Sequence, residues 1–552
     1  MGIPYYFSYI IQNHSKIIKN IKHIIKVENL YLDCNSIIYD SIHYLENLSE
    51  NVTEDNIITQ VLKNIDNYIL TVKPSNIIFI AFDGIAPVAK LDQQRQRRYK
   101  TLYQKKIYNN IFKINKENFN TSFITPGTEF MNLLNENIIN YFSAPDKYDE
   151  NNVILSLSDE IGEGEHKIFN YIRENAKDLT ESVNVVYGLD ADLIMLCMNH
   201  ISICKNIYLY RETPTFIKDI NKSLDPNCCY LLDMTELSNI ISNNMSHHIT
   251  QIDASQKNEN ENTIYDYIFL CFLLGNDFLP HFPSINIRSG GIHKLLNAYQ
   301  DTLSSPNTFL IYNNKIQWKN VRKLILFLLN QEDKYLQDEM KLRDKQEKNN
   351  YYDKSAAATA ATASCQGESP EAAYKAFEMT PCKNRTIEKY INPPFEMWEY
   401  RYYKILFNIE PDEARIKQIC LNYLEGLEWT YKYYSGDCPD WRWSYKYNYP
   451  PLLKHLYKYI PYFEVDLIGN HKINPVSNTV QLCYVLPLQT LQCINNPLCN
   501  ELLKHHPEWY KYDDKFIWAF CKYFWECHAE LPYININELE YLIHNIIKDK
   551  II

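Results

Sequence analysis

Val185-Val186-Tyr187-Gly188-Leu189-Asp190-Ala191-Asp192 is a short apolar run that ends in two aspartates. Two earlier stretches end the same way. Asn29-Leu30-Tyr31-Leu32 runs into Asp33, and Ile77-Ile78-Phe79-Ile80-Ala81-Phe82 runs into Asp83. Runs of this length, rich in Ile, Val, Phe and Tyr, read as buried strands. Between them lie helix-like stretches, as a mostly parallel sheet requires. Ligands of an open α/β sheet bind outside the carboxyl ends of its strands. The strand-terminal aspartates are therefore expected at one crest.

More carboxylates can join them. Glu163-Gly164-Glu165 offers two on one side of an extended segment, with Gly164 permitting close backbone approach. Asp190-Ala191-Asp192 is read the same way. Asp277 follows the apolar segment Tyr267 to Leu274, so a buried helix would deliver it to a turn. One strand-ending aspartate is commonly no more than a cap for the next helix. Seven carboxylates at one crest need compensating cations. Hard divalent ions with oxygen ligands fit, and the matching chemistry is phosphodiester cleavage.

Gln93 to Ile114 holds no Pro or Gly and is dense in Arg, Lys and Gln, so it reads as a long basic helix. Lys90, Gln94, Arg97 and Arg98 fall on one face of it, just after Asp83-Gly84. An average helix would simply solvate such a face. Beside a metal cluster, guanidinium forks and an ammonium suit a terminal phosphate.

The chain has 552 residues, 46% of them hydrophobic, enough for more than one core. Its formal charge of −11 does not favour nucleic acid, although a local basic stripe is what counts. The 15 cysteines are scattered, with no C-x-x-C pair, so no structural zinc is expected. Met1-Gly2-Ile3-Pro4 opens no signal peptide, and Tyr6 argues against myristoylation at Gly2. Reduced thiols in an intracellular, non-membrane protein are the expectation.

Residues 1–340 form the expected catalytic block. Residues 341–385 read as a linker around the low-complexity run Lys354 to Ser364. Residues 386–552 form an aromatic-rich, mainly helical second block that completes the site. Most of its Tyr and Trp belong to packing. Tyr39 and Trp443 are candidates to stack on a base.

Taken together these residues resemble the XRN family of 5′→3′ exoribonucleases. The resemblance lies in Met1-Gly2-Ile3-Pro4-Tyr5-Tyr6-Phe7, in Phe82-Asp83-Gly84-Ile85-Ala86-Pro87-Val88-Ala89-Lys90 with Gln93-Gln94-Arg95-Gln96-Arg97-Arg98, and in Ile124-Thr125-Pro126-Gly127-Thr128-Glu129. It continues in Gly162-Glu163-Gly164-Glu165-His166, Tyr187-Gly188-Leu189-Asp190-Ala191-Asp192 and Leu274-Gly275-Asn276-Asp277-Phe278-Leu279-Pro280. Glu425-Gly426-Leu427-Glu428-Trp429 and Trp441-Arg442-Trp443-Ser444-Tyr445 extend it into the second block.

The resemblance implies a flap-nuclease-like (PIN-type) α/β core with a mostly parallel sheet. It implies metal ligands at Asp33, Asp83, Glu163, Glu165, Asp190, Asp192 and Asp277, holding two Mg²⁺ ions roughly 3.5–4 Å apart, with Mn²⁺ able to substitute. It implies a 5′-monophosphate pocket at Lys90, Gln94, Arg97 and Arg98. A base would be sandwiched by Trp443 and by Tyr39, which stands where the family has His. The implied substrate is single-stranded 5′-monophosphorylated RNA, degraded to nucleoside 5′-monophosphates in messenger decay after a decapping enzyme has acted. The expected compartment is the cytoplasm, with the nucleus as the alternative. Without the family's long carboxy-terminal extension or knuckle-like cysteines, the expectation is a compact member of viral or parasitic origin. Two rival readings are a flap-type structure-specific DNA endonuclease and a non-catalytic RNA-binding scaffold.

Overall fold

A computed structural model describes residues 3–550, apart from 25, 49–51, 115–118, 144–147, 149–151, 214–216, 221, 223, 246–256, 304, 306, 352–368 and 470–472. The apolar runs are strands: β1 (Ile18–Asn20), β2 (Asn29–Asp33), β3 (Ile77–Ala81), β4 (Asn152–Ser156), β5 (Val183–Tyr187), β6 (Asn206–Tyr210) and β7 (Tyr230–Asp233). They form one sheet in the order β1-β7-β6-β5-β2-β3-β4. β4, β3, β2, β5 and β6 are parallel, while β7 and β1 are added antiparallel at one edge. Every residue of β2 and β3 is buried, which is why these strands read as continuous apolar runs rather than alternating ones.

Register fixes the crest. Asp33 pairs across from Ala81, and Leu32 lies between Ile80 and Tyr187. Asp83 and Asp190 therefore leave the sheet within a few residues of Asp33, at the same ends of neighbouring strands. The basic helix runs Val88–Phe112, starting sooner after the strand than its composition suggests. Pro87 precedes it with a fixed φ of −60°.

The two blocks share a core. The helix Glu413–Ser435 carries Trp429 and Tyr433 into the cluster that holds Leu193 and Phe278 beneath the sheet crest. Phe278 meets Trp429 edge-on at 4.9 Å. Backbone joins them too: Val88 N–H donates to Trp441 O at 3.0 Å, and Ala86 N–H to the Gln481 side chain at 3.2 Å.

The linker boundaries drawn from composition are too wide. Residues 341–351 complete the helix Trp318–Tyr351, and helices Pro370–Glu378 and Thr380–Lys383 precede the second block. Three charged residues around this stretch, Arg343, Arg385 and Glu388, are buried and paired. Glu388 accepts from Arg343 at 2.9 and 2.5 Å, from Arg385 at 2.6 Å and from Phe520 N–H at 2.8 Å. The run Lys354 to Ser364 lies outside the described residues. Among the described residues no helix is long and apolar enough to cross a membrane.

Glu388→Ala should leave the buried Arg343 guanidinium without its carboxylate and Arg385 with only Asp344 and Glu347. The expected loss is about 3–5 kcal/mol, read as a drop in the urea midpoint of the full chain. An unchanged midpoint would mean that these charges are solvated.

Candidate active site

Each acidic side chain reaches the crest by its own route. Asp33 is the last residue of β2. Asp83 follows β3 and is clasped by Asn35, whose Nδ2 donates to Oδ2 at 2.5 Å while Asp83 N–H returns a bond to Asn35 Oδ1 at 3.0 Å. Gly164 N–H donates to Asp83 Oδ1 at 2.7 Å. A Cβ on Gly164 would lie 2.7 Å from Asp33 Oδ1, so only glycine lets this backbone so close. Glu163 is extended and Gly164 begins the helix Gly164–Glu174, so Glu165 sits in its first turn. Likewise Ala191 is helical and Asp192 begins the helix Asp192–Asn199. Neither carboxylate pair is therefore set by strand alternation. A helix N-terminus holds each second acid, where the positive end of the helix dipole favours it. Asp277 lies in a turn after the helix Lys257–Phe272, with Asn276 Oδ1 accepting from Phe278 and Leu279 N–H at 2.9 and 2.8 Å.

Among the described residues, Lys90 is the cation in direct contact with them. Lys90 is 7% exposed, and its Nζ stands 2.5 Å from Glu163 Oε2 and 2.9 Å from Asp277 Oδ2. Burial opposes the ammonium charge, but Asp277 and Glu163 hold its pKa well above the ordinary lysine value. The same partnership depresses Asp277 against the pull of burial. The other acids do not share enough of it. Burial, then the charges of Asp83 and Asp190, push Asp33 well above the carboxylate range. Glu165 is raised by burial with Lys90 opposing, and Asp192 is pushed up to about 7 by burial and by Asp277. Asp33 Oδ1 and Asp192 Oδ1 are buried with no hydrogen-bond partner. Excess negative charge and orphaned oxygens fit a hard cation. Glu163, Glu165 and His166 place ligand atoms within 4.8 Å of one another, a set that could hold one metal ion. Burial lowers His166 far below its usual pKa, so it is neutral, as a ligand must be.

The basic face is less uniform than its spacing implied. Lys90 is committed to carboxylates. Arg98 donates to Thr121 O and Ile124 O, both at 2.8 Å, and to Thr125 Oγ1 at 2.6 Å, pinning the loop before the next helix. Arg97 is exposed and feels Asp190 and Asp277. Gln94 is half-buried beside them. The Tyr39 hydroxyl stands close to Arg97 and Arg98 and favours their charged forms. Trp443 is 8% exposed, with one face of its indole on Trp429 at 5.2 Å and its edge packed where a Cβ on Gly426 would clash at 2.9 Å. Among the described residues no ring contact joins it to Tyr39.

The second block supplies residues that the sequence reading missed. Tyr433 donates to Glu163 Oε1 at 2.8 Å and stacks on His166 at 3.6 Å, and Tyr434 reaches Asp192. His166 directly follows the Glu pair, which was a usable signal. Nothing distinguishes Tyr433 and Tyr434 among the aromatics of their block.

This acidic crest is that of a nuclease-type α/β domain. Comparison with known families bears on both blocks: a model described as "XRN 5'-3' exonuclease N-terminus" matches residues 1–213, and one described as "Xrn1 helical domain" matches 257–393 and 395–548. The chain belongs to the XRN family. It is 28% identical to 5'-3' exoribonuclease 1 of Saccharomyces cerevisiae over 88% of its own length and 39% of the relative's. It is 27% identical to the 5'-3' exoribonuclease 2 homolog of Drosophila melanogaster over 93% of its length and 65% of that protein. For 5'-3' exoribonuclease 1 of Homo sapiens the figures are 26%, 98% and 34%. The chain thus spans from about a third to two thirds of these relatives.

Asp192→Asn should stabilise the metal-free protein, and increasingly so as pH rises. The folded state raises this group's pKa from 3.8 to about 7. Between these values the folded state holds a proton that the unfolded state has lost, so wild-type stability from this group falls as pH climbs from about 4 through 7. Melting both proteins in chelator from pH 5 to 8 should show a widening gap, reaching on the order of 2–4 kcal/mol. Mg²⁺ should close it. A gap independent of pH would refute the crowding.

Proposed function

We propose that the chain is a magnesium-dependent 5′→3′ exoribonuclease that acts on single-stranded RNA bearing a 5′-monophosphate and releases nucleoside 5′-monophosphates. The observation that carries this is the buried acidic crest, undercompensated by Lys90 and bordered by Arg97. The chain's relatives are named for the same activity.

Asp33, Asp83, Glu163, Glu165, Asp190, Asp192 and Asp277 would hold two Mg²⁺, with Mn²⁺ able to replace them. Bound there, the ions would lower the pKa of a water and stabilise charge on a leaving oxygen. The protein's part is to fix the carboxylates and exclude competing water. Asn35 and the Gly164 N–H hold Asp83, while Tyr433 and Tyr434 hold Glu163 and Asp192. Lys90 spends two of its three donors on carboxylates and keeps one for a phosphate oxygen. Arg97, steadied by Tyr39, offers a forked donor to the same phosphate, with Gln94 beside it. Arg98 supports this pocket through the loop it pins. The Tyr39 ring, and Trp443 through its face away from Trp429, would flank the terminal base. A cap or triphosphate adds bulk and charge beyond what these donors match. A decapping enzyme would therefore act first, in cytoplasmic messenger decay.

Purified protein with Mg²⁺ should degrade 5′-phosphate RNA, and neither matched DNA nor 5′-hydroxyl RNA at a comparable rate. Asp190→Asn should lower kcat by about a hundred- to a thousandfold, in line with losses seen when a charge-stabilising group is removed from an active site, without lowering the melting temperature. Cleavage of internal or flap sites in DNA, with RNA ends untouched, would replace this reading with a flap endonuclease.

Arg97→Ala should narrow the preference for 5′-phosphate over 5′-hydroxyl RNA by about tenfold or more, since charge-assisted bonds are worth about 1.5–3 kcal/mol. Tyr39→Phe keeps the ring and loses the hydroxyl, so it should narrow that ratio in the same direction but less. The readout is kcat/KM for both substrates at fixed salt. If both variants slow the two substrates equally, this face is a general backbone stripe.

A further inference from the structure

The basic helix has a second side. Lys90, Gln94 and Arg98 recur every four residues on one face. Ala89, Gln93, Gln96, Arg97 and Lys100 lie on the neighbouring one, which walls a cavity of about 1050 Å³. The opposite walls come from the turn after Asp277, from residues 444–449 and from the carboxy-terminal segment 517–537. Lys90, Gln94, Arg98, Tyr39 and Trp443 are not among the lining residues. Of the residues placed above around the acidic crest, Arg97 and Asp277 also border the cavity, so it adjoins the crest without being the phosphate pocket already described.

Its walls carry unmet polar atoms. Gln93 Oε1, Asn276 Nδ2, Arg288 Nε and the Tyr449 hydroxyl are buried and have no hydrogen-bond partner, and all four residues line the cavity. Left dry, each such group would cost about 1–3 kcal/mol, so this space suits a polar ligand. The set combines an amide acceptor, an amide donor, a guanidinium donor and a phenol, the kind of groups that pair with base edges. Lys100 donates one proton to Trp525 O at 2.9 Å and has two left. It supplies positive charge for a phosphate, while Arg97 borders the cavity and keeps its fork for the crest. Tyr445 and Trp525 add aromatic wall. Pockets that hold drug-sized ligands measure roughly 300–1,000 Å³, so one mononucleotide fits with some water.

We propose that this chamber binds a nucleoside 5′-monophosphate of the kind released at the crest, and that its occupancy, felt through Arg97, slows the next turnover. The choice of nucleotide and the effect on turnover rest on the function proposed above; the chamber itself does not.

The probe is AMP, titrated into the full chain with Mg²⁺ by calorimetry and, in parallel, added to RNA-degradation assays. Saturable binding is expected, with inhibition that more RNA does not relieve. Gln93→Leu and Lys100→Met should each weaken AMP by about tenfold, near the 1.4 kcal/mol that a tenfold change represents. Their AMP-free rates should stay within about twofold of wild type. Tyr449→Phe, which removes only an oxygen, is the variant to rely on if either of these melts early, and it should weaken AMP in the same direction. No binding at about ten millimolar, binding insensitive to these variants, or inhibition fully relieved by RNA would each overturn the chamber. AMP bound and weakened by the variants, in a chain that does not degrade RNA, would sink the proposed function and leave the chamber standing.

Discussion

Seven carboxylates converge where one ammonium can reach only two of them, and the rest of the site is arranged around that imbalance. Lys90 is buried, so its charge persists only because Glu163 and Asp277 face it. In turn it keeps Asp277 ionised. Asp33, Glu165 and Asp192 form no ion pair with it, and burial, together with neighbouring carboxylates, raises their pKa values although its charge opposes the rise. Replacing Lys90 with an uncharged residue would remove the positive charge that sits against Glu163 and Asp277.

Holding such a cluster together requires rigid support, and the support is divided between the blocks. The sheet sets the positions of Asp33, Asp83 and Asp190 through strand register. Helix starts place Glu165 and Asp192. The second block then closes the cluster from the other side with Tyr433 and Tyr434, delivered by a helix whose Trp429 packs against Phe278. Stability and site geometry are therefore coupled. The helix Trp318–Tyr351, before residues 352–368, joins this assembly through Arg343 and the Glu388 network.

The basic helix shows how one element serves several tasks by facing several ways. Arg95 donates to Pro532 O and Trp509 O, and Gln96 exchanges two hydrogen bonds with Ala529, tying the helix to the carboxy-terminal segment. Arg98 ties it to the loop at Thr121 to Thr125 on another side. Between these anchors Arg97 remains exposed toward the acids and also borders the neighbouring cavity. A run of positive charge thus divides into structural clamps and a single forward-facing fork.

Much of this was legible from residue order. Apolar runs ending in aspartate specify buried parallel strands and a common crest, because strand burial and chain direction are local properties of composition. The seven acids and the helix after Asp83 followed from the same reading, as did the family resemblance. The partners of those groups could not be read in advance. Spacing placed Lys90, Gln94, Arg97 and Arg98 on one face, but only packing decides that Lys90 turns to Glu163 and Asp277 and that Arg98 is consumed by backbone carbonyls. The second acids of Glu163–Glu165 and Asp190–Asp192 looked like strand alternation and are helix starts, since two carboxylates one residue apart are compatible with either. Tyr433 and Tyr434 stand some 240 residues or more from the acids they touch, a distance over which no local pattern carries information and only the shared core brings them together.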